Sequence, residues 1–259
     1  QISVGGQNPK YNAIRVDGVS ISDTFGLEDN GMPTRRQPVA MDALEAINVD
    51  LSSYDVTIAG ATGAVIDAVT KSGTNEFHGS VYGSYRDGDW FGKDPAGYKF
   101  DGFDREQTYG MTLGGPLVKD KLFFFANYEK QEWKSPGASV ADSGLGTGAI
   151  TQDQINQITN LAKSQYGIDT GGVGDVDGST NLEEYAVKLD WNISDNHRAS
   201  IRYSKVEQNQ ARTPTTSGTI VNLSSSFFQQ QKTIENYVAQ VFSDWSDNFS
   251  TELKASYRD

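Results

Sequence analysis

The sequence predicts an all-β fold of antiparallel strands, and its pattern favours a membrane-spanning barrel. From residue 76 onward, runs of apolar and polar side chains alternate with a period of two, as in strands that are polar on one face. The connections between these runs are alternately long and short. Only 36% of the 259 residues are hydrophobic, whereas 27 are Gly and 11% are aromatic. Alternating strands explain this composition, because they place apolar groups at every second position.

Seven runs carry the alternation. In the clearest of them Tyr185, Val187 and Leu189 share one face, and Glu184, Lys188 and Asp190 share the other. Short turns are predicted at 114–120, at 194–196 and at 246–248, where Asp and Asn tolerate the left-handed backbone of tight turns. The predicted strands are residues 77–86, 107–113, 122–133, 184–193, 198–204, 237–241 and 249–258.

The long connections and the placement of aromatic residues separate a barrel from a β-sandwich. About 48 residues follow the third strand, and within them residues 150–167 have Ile and Leu at helical spacing, which predicts a short helix. Loops of this length are typical of the outer side of membrane barrels. Tyr185, Trp191, Trp245 and Tyr257 lie near strand ends, where aromatic girdles meet the membrane interfaces.

The first 73 residues follow another pattern and indicate a separate domain. Short β-like pieces at 13–16, 46–49 and 64–66 alternate with Gly-rich turns, including an Asp17-Gly18 turn. A short helix is predicted at 41–45. The chain starts at Gln1 without a charged and apolar leader, so we expect any signal peptide to have been removed or to lie upstream, and the chain to be a fragment.

Four ordered motifs resemble one known family. NAIRVDGV (12–19), MDALEAINVDLSSYDV (41–56) and GATGAVIDAVTKSGTNEFHGSVYGSYR (60–86) resemble the plug-to-barrel junction of TonB-dependent receptors, and the subgroup looks Oar-like. GGPLVKDKLFFFANYE (114–129) is similar to their second periplasmic-side turn. In that subgroup the plug ends in a segment resembling VTKSGTN (69–75), and the first barrel strand follows at once.

The resemblance implies an antiparallel transmembrane barrel of about 22 strands with a small α/β plug in its lumen. Residues 1–73 would be the C-terminal part of the plug, and residues 74–259 the first seven strands of an incomplete barrel. The expected location is the outer membrane of a Gram-negative bacterium. The expected partners are outer-membrane lipid, an unknown extracellular solute, and TonB through a plug segment that this chain does not contain.

By resemblance, the expected function is import of a scarce solute, such as a metal chelate, an oligosaccharide or a peptide, with energy from TonB. An adhesion or secretion-linked outer-membrane protein is the first alternative, and a soluble carbohydrate-binding β-sandwich is the second. The net charge of −12 argues against nucleic acid as a partner. No P-loop, GxSxG or HExxH motif is present, so we do not expect an enzyme.

Candidate site residues lie in segments that would face outward if the resemblance holds. The alternative is that the aromatics anchor the protein at the interface and the arginines pair with Glu28 or Asp29. Asp175 and Asp177 precede Gly178 like half of a calcium loop, although an ordinary solvated loop also explains them, and no other cofactor is expected. The candidates for solute contact are Arg35, Arg36, Trp90, Phe91, Tyr98, Phe100 and Phe103.

Overall fold

A computed structural model describes residues 3–4, 6–51, 56, 58, 62–97, 103–135, 151–172, 178–212 and 222–259. These residues form a four-stranded sheet of order β2-β1-β4-β3 and a seven-stranded sheet of order β11-β10-β9-β8-β7-β6-β5. The strands are β1 (Ala13–Val16), β2 (Val19–Ser20), β3 (Leu44–Asp50), β4 (Val65–Thr70), β5 (His78–Asp87), β6 (Arg105–Val118), β7 (Leu122–Lys134), β8 (Thr180–Ser194), β9 (His197–Arg212), β10 (Phe228–Ser246) and β11 (Phe249–Arg258).

The seven-stranded sheet, hereafter the wall, is an antiparallel meander in which every strand pairs with its neighbours in sequence. This confirms the predicted antiparallel all-β class. The predicted turn at 114–120 is too long, because β6 continues to Val118 and β7 begins at Leu122. Gly115 lies within β6, and a Cβ there would lie 2.8 Å from Cε1 of Phe77 and closer still to Cδ1. The glycine pair that suggested a turn therefore lies in the strand, where Gly115 leaves space for the ring of Phe77.

The two faces of the wall differ in polarity as the alternation predicts. On one face Glu129, Glu184 and Arg202 are buried beneath the four-stranded sheet and its loops. On the other face Val187 and Leu253 are exposed, at 44% and 69% of their surface. A β-sandwich would cover the apolar face with a second sheet, whereas here the polar face is covered. This arrangement is that of a barrel wall and contradicts the sandwich alternative.

One Tyr from each wall strand lies on the apolar face, and together these residues form a line. Cross-strand pairing places Tyr203 level with Tyr237, and Tyr237 level with Tyr257. At three of the six steps between strands the line shifts by two residues, always in the same sense. Six residues of rise over six strand spacings correspond to an inclination of about 35°, which is the usual strand tilt in barrels. The line is Tyr85, Tyr109, Tyr128, Tyr185, Tyr203, Tyr237 and Tyr257.

The four-stranded sheet, hereafter the inner sheet, begins with a tight hairpin. Asp17 (φ 49°) and Gly18 (φ 72°) both have left-handed backbone, as a type I′ turn requires, and they join β1 to β2. β1 also pairs in parallel with β4, whose other edge carries β3. The predicted helix at 41–45 is wrong, because only Met41–Ala43 form a 3-10 turn and β3 begins at Leu44.

One compact apolar cluster joins the segment before β3 to the wall. Ala40 and Ala43 pack against Phe125 of β7, and all three are buried. A separate core within the inner sheet contains Val16, Ile21 and Ala68. The inner sheet therefore has its own hydrophobic centre. Apolar side chains of its loop and of the wall, including Val39 and Val206, also line a narrow gap between the two.

The linker between β4 and β5 passes closely over the hairpin of β6 and β7. A Cβ at Gly73 would lie 2.8 Å from the carbonyl oxygen of Gly115 and closer still to that of Phe124. Asn75 is bonded to the hairpin turn, because its amide donates to Asp120 Oδ1 at 2.6 Å and its Oδ1 accepts from the Asp120 N–H at 2.8 Å. The linker is thus fixed to the short-turn end of the wall.

The long connection after β7 contains the predicted helix, α1 (Gln152–Tyr166). Thr151 and Gln154 form a capping box at its start, and Gly167 (φ 67°) ends it. Within the described part of the chain, no helix is long and apolar enough to cross a membrane.

We predict that Gly73→Ala destabilises the protein by about 1–3 kcal/mol, because the added methyl group has to displace backbone of β6 and β7. Gly83→Ala is the matched control in β5, since the nearest atom to its Cβ would be 3.6 Å away. Chemical denaturation of both variants measures the difference. Equal midpoints would show that the linker does not need the close approach.

Candidate functional site

The candidate site lies at the end of the wall where the long connections emerge. There the loop between β2 and β3, hereafter the apical loop (residues 21–40), lies against the inward ends of the wall strands. A cavity of about 850 Å³ separates the two, and its lining includes Arg35, Arg36, Glu106 and Arg212. Both predicted arginines therefore open onto one space.

The backbone of the apical loop is held in place around Arg35. The Asn30 amide donates to the carbonyl oxygens of Thr34 and Arg35, each at 3.0 Å. The Arg35 N–H donates to Gln208 Oε1 of β9 at 2.8 Å, and the Thr34 hydroxyl donates to the Arg36 carbonyl at 2.6 Å. These bonds fix the positions from which the arginine side chains project.

The guanidinium of Arg35 lies over the ring of Trp133, with its Cζ 3.8 Å from the ring centroid. Arg36 lies over the same ring at 5.4 Å. Arg35 is solvent-accessible, and among the described residues no carboxylate lies within 4 Å of its guanidinium. Partial burial lowers the pKa of Arg35; Glu28 opposes this shift, whereas Arg212 and Arg36 add to it. Arginine remains charged at neutral pH, so Arg35 is a cation available to a ligand.

Arg36 is paired with the wall and not with the acids that the sequence suggested. Its Nη2 lies 2.5 Å from Glu106 Oε1, and the other oxygen of Glu106 is bonded to Arg86 of β5. Glu28 instead binds Arg212 and Lys232 of the wall, at 2.8 and 2.6 Å.

The predicted aromatic residues divide between two places. Phe91 and Phe103 meet edge to face at 5.5 Å, and Arg86 lies over Phe103 at 5.6 Å, so both rings adjoin the arginine cluster. Trp90 packs on Tyr85, at the line of tyrosines on the apolar face. Tyr98 and Phe100 lie outside the described residues, as do Asp175 and Asp177.

Sequence reasoning missed Trp133, Glu106 and Arg86, which complete the cluster. The alternation of 122–133 is obscured by its apolar start, so the inward phase of Trp133 was not assigned. Glu106 lies one residue before the predicted strand 107–113, so its cross-strand pairing with Arg86 was not predicted. Over the residues that the structure describes, no group of acidic or His side chains is placed to hold a metal ion.

A second set of charged contacts attaches the inner sheet to the wall. Arg202 Nε lies 3.0 Å from Asp17 Oδ2, and the two side chains are 6% and 10% exposed. Asp17 also accepts from the N–H and hydroxyl of Thr70, at 2.9 and 2.8 Å. Lys188 of β8 donates to the Thr70 carbonyl at 3.2 Å. The tight Asp17-Gly18 turn thus places the Asp17 carboxylate against Arg202 on the inward face of β9.

Comparison with known proteins identifies the architecture. Residues 69–168 match the family described as an outer membrane beta barrel domain. The TonB-dependent transporter Oar of Myxococcus xanthus is 35% identical over 135 residues, which are 49% of this chain and 12% of that protein. The probable TonB-dependent siderophore receptor PirA of Acinetobacter baumannii is 30% identical over 147 residues, which are 51% of this chain and 17% of that protein.

The solved structure of the siderophore receptor PirA from Acinetobacter baumannii superposes with a TM-score of 0.68 at 20% identity, covering 100% of this chain and 33% of that one. The ferric enterobactin receptor PfeA of Pseudomonas aeruginosa, in a G324V mutant, gives 0.67 at 19% identity, covering 100% and 34%. The chain is thus similar to TonB-dependent outer-membrane receptors in sequence and in fold.

The protein is located in the outer membrane of a Gram-negative bacterium, as the sequence predicted. Its apolar, tyrosine-lined face is the lipid side of the barrel, and the face that covers the inner sheet is the lumen side. The chain spans about a third of the length of the solved receptors that it resembles. The named relatives are transporters and receptors, which agrees with the expectation of a protein that is not an enzyme.

We predict that Asp17→Asn destabilises the full-length receptor by about 3–5 kcal/mol, because Arg202 loses its buried counter-charge. Glu252→Gln is the control, since its pair with Lys254 is long, at 3.8 Å, and half exposed, and we expect a change below about 1 kcal/mol. Denaturation of the purified receptors measures both. A mild effect at Asp17 would mean that water reaches Arg202.

Proposed function

We propose that the receptor imports a scarce solute across the outer membrane with energy supplied through TonB. The observation that carries the proposal is the polar attachment of the inner sheet to the lumen side of the wall, next to a cavity of about 850 Å³ at the long-loop end. A wide barrel leaks unless it is filled, so a filled lumen beside an open binding cavity suits transport. The names of the relatives, a transporter and siderophore receptors, agree with it.

In this proposal residues 1–73 are the C-terminal part of the plug and residues 74–259 the first seven barrel strands. The plug has to move before a solute can pass. Ion pairs and hydrogen bonds suit this movement, because each group exchanges its partner for water or another charge once the interface is wetted. A purely apolar interface would offer no such exchange, whereas here charged pairs such as Asp17 with Arg202 and Glu28 with Lys232 join the two parts. TonB would engage a plug segment outside this chain.

We propose a metal chelate with anionic groups as the first solute to test. Arg35 offers an accessible cation stacked on Trp133, and a guanidinium is suited to bidentate binding of oxyanions. Phe91 and Phe103 would border the solute, whereas Trp90 would anchor the wall at the interface. An oligosaccharide or a peptide is a possible outcome of the same test. The solute contacts of Tyr98 and Phe100, and calcium at Asp175 and Asp177, stay predictions.

Adhesion or secretion is the remaining alternative and is separated from import by its independence of TonB. Cells that express the full-length receptor should accumulate one probe from a panel of labelled ferric siderophores, maltooligosaccharides and peptides. Accumulation should stop when TonB is deleted. Surface binding that persists without TonB, and without any uptake, would support the alternative and overturn import.

Arg35→Gln should raise the half-saturating concentration of the transported probe about 10-fold or more, because a charge-assisted hydrogen bond contributes about 1.5–3 kcal/mol. Lys163→Gln, on the exposed side of α1, removes the same charge outside the cavity and should leave uptake unchanged. Uptake curves in cells with equal receptor levels give the comparison. An unchanged curve for Arg35→Gln would remove this residue from the site.

A further inference from the structure

Glu106 stands between one arginine of the plug and one of the barrel. It lies at the start of β6, and its side chain is only 12% exposed. One carboxylate oxygen contacts Arg36 Nη2 of the apical loop at 2.5 Å. The other is bonded to Arg86, its cross-strand partner on β5. At the edge of the cavity, the carboxylate therefore occupies the place on the Arg36 guanidinium where another anion could bind.

We propose that Glu106 is a built-in competitor for the anionic group of the solute, and that its displacement from Arg36 loosens the apical loop from the barrel wall. The inference rests on the proposed function, because it assigns a regulatory step to that same cavity. In the unloaded receptor the pair holds the loop against the wall. In the loaded receptor Arg36 binds the solute and the pair is broken.

The second arginine makes this exchange feasible. Breaking a partly buried ion pair is costly when one charge is left without a counter-charge. When Arg36 turns to the solute, Glu106 keeps Arg86, which does not belong to the plug. The released carboxylate stays neutralised, and the solute anion takes over the charge of Arg36. Both sides of the broken pair thus remain satisfied.

A competitor also sets a threshold for the solute. A tethered carboxylate acts at an effective concentration on the order of millimolar or more, so a single weak anion would not displace it. A chelate with several anionic groups can bind Arg35 and Arg36 together, since both guanidinium groups lie over the Trp133 ring at 3.8 and 5.4 Å. The arrangement therefore favours multivalent anions.

Displacement of Glu106 would loosen the loop without opening the barrel. Glu28 still holds the loop through Arg212 and Lys232, and Gln208 still binds the Arg35 N–H. The Asp17–Arg202 pair of the inner sheet is separate from these contacts. Solute binding would thus break only the Arg36–Glu106 contact of the apical loop. The remaining contacts between plug and barrel would have to be broken by an external force.

The test measures citrate binding to the purified full-length receptor by calorimetry, with citrate as a multivalent anion. Glu106→Gln should bind citrate about 10-fold more tightly, because the competitor is removed and the shape is kept. A purely structural Glu106 predicts weaker binding, which is the opposite sign. Glu132→Gln is the matched control, because its partners are Gln107 and Lys130 and it does not line the cavity. Its affinity should equal that of the wild type.

Hydrogen exchange supplies a second measurement, which reports on the apical loop itself. Citrate should increase exchange in residues 28–37 of the wild-type receptor, and Glu106→Gln should show the fast exchange without citrate. Slower exchange with citrate, or unchanged exchange at saturation, would overturn the proposal. Citrate that fails to bind would also overturn it.

The transport assay keeps the two proposals apart. Tighter citrate binding in Glu106→Gln together with absent TonB-dependent uptake would support the competitor and overturn import. Weaker or equal binding in this variant together with normal uptake would overturn the competitor alone.

Discussion

A sheet that shows apolar side chains to lipid has to place its charged side chains on the other face, and those charges need partners. In this receptor the partner is the inner sheet. Arg202 meets Asp17 in a buried pair, and Arg212 and Lys232 converge on Glu28. The alternation of the wall therefore dictates the chemistry of the surface that fills it. The tight hairpin of the inner sheet and the polar apical loop are both explained by this requirement.

The same requirement connects stability to movement. Buried ion pairs give specific positions and contribute little net stability compared with apolar packing, yet each is expensive to break alone. An interface made of ion pairs fixes the two parts in one position, and its charged groups can exchange partners when a new charged group binds. The linker behaves differently, because Gly73 and Asn75 fix it to the hairpin of β6 and β7 by close backbone contact. One end of the inner sheet is thus firmly attached, while its apical loop is held by exchangeable charges.

Local patterns in the sequence predicted the seven wall strands, the phase of all but the third, the helix in the long connection and most turns. Several strands are longer than predicted: β10, for example, spans Phe228–Ser246 where 237–241 was predicted. Errors arose where tertiary packing overrides local preference: Gly115 lies in a strand because Phe77 needs the space, and Leu44 begins a strand because β4 pairs with it. Arg35 and Arg36 were named as candidates from the sequence, but the residues that they contact were not. Arg35 and Gln208 are 173 residues apart, and no local pattern specifies which inward residue of a distant strand faces a given loop residue.

The line of tyrosines marks a level on the barrel and so fixes how the strands stand in the membrane. Because it climbs across the strands at about 35°, a line of constant depth crosses each strand obliquely. An apolar band of about 25 Å then requires about nine residues per strand, close to the spacing from Tyr185 to the Ser194 turn. The spacing of tyrosines and turns along the strands therefore matches the thickness of the bilayer's apolar band. Later strands of the barrel have to keep the same inclination. A strand shifted along its axis would move its tyrosine out of the membrane interface and would bring charged side chains at its other end into the apolar band.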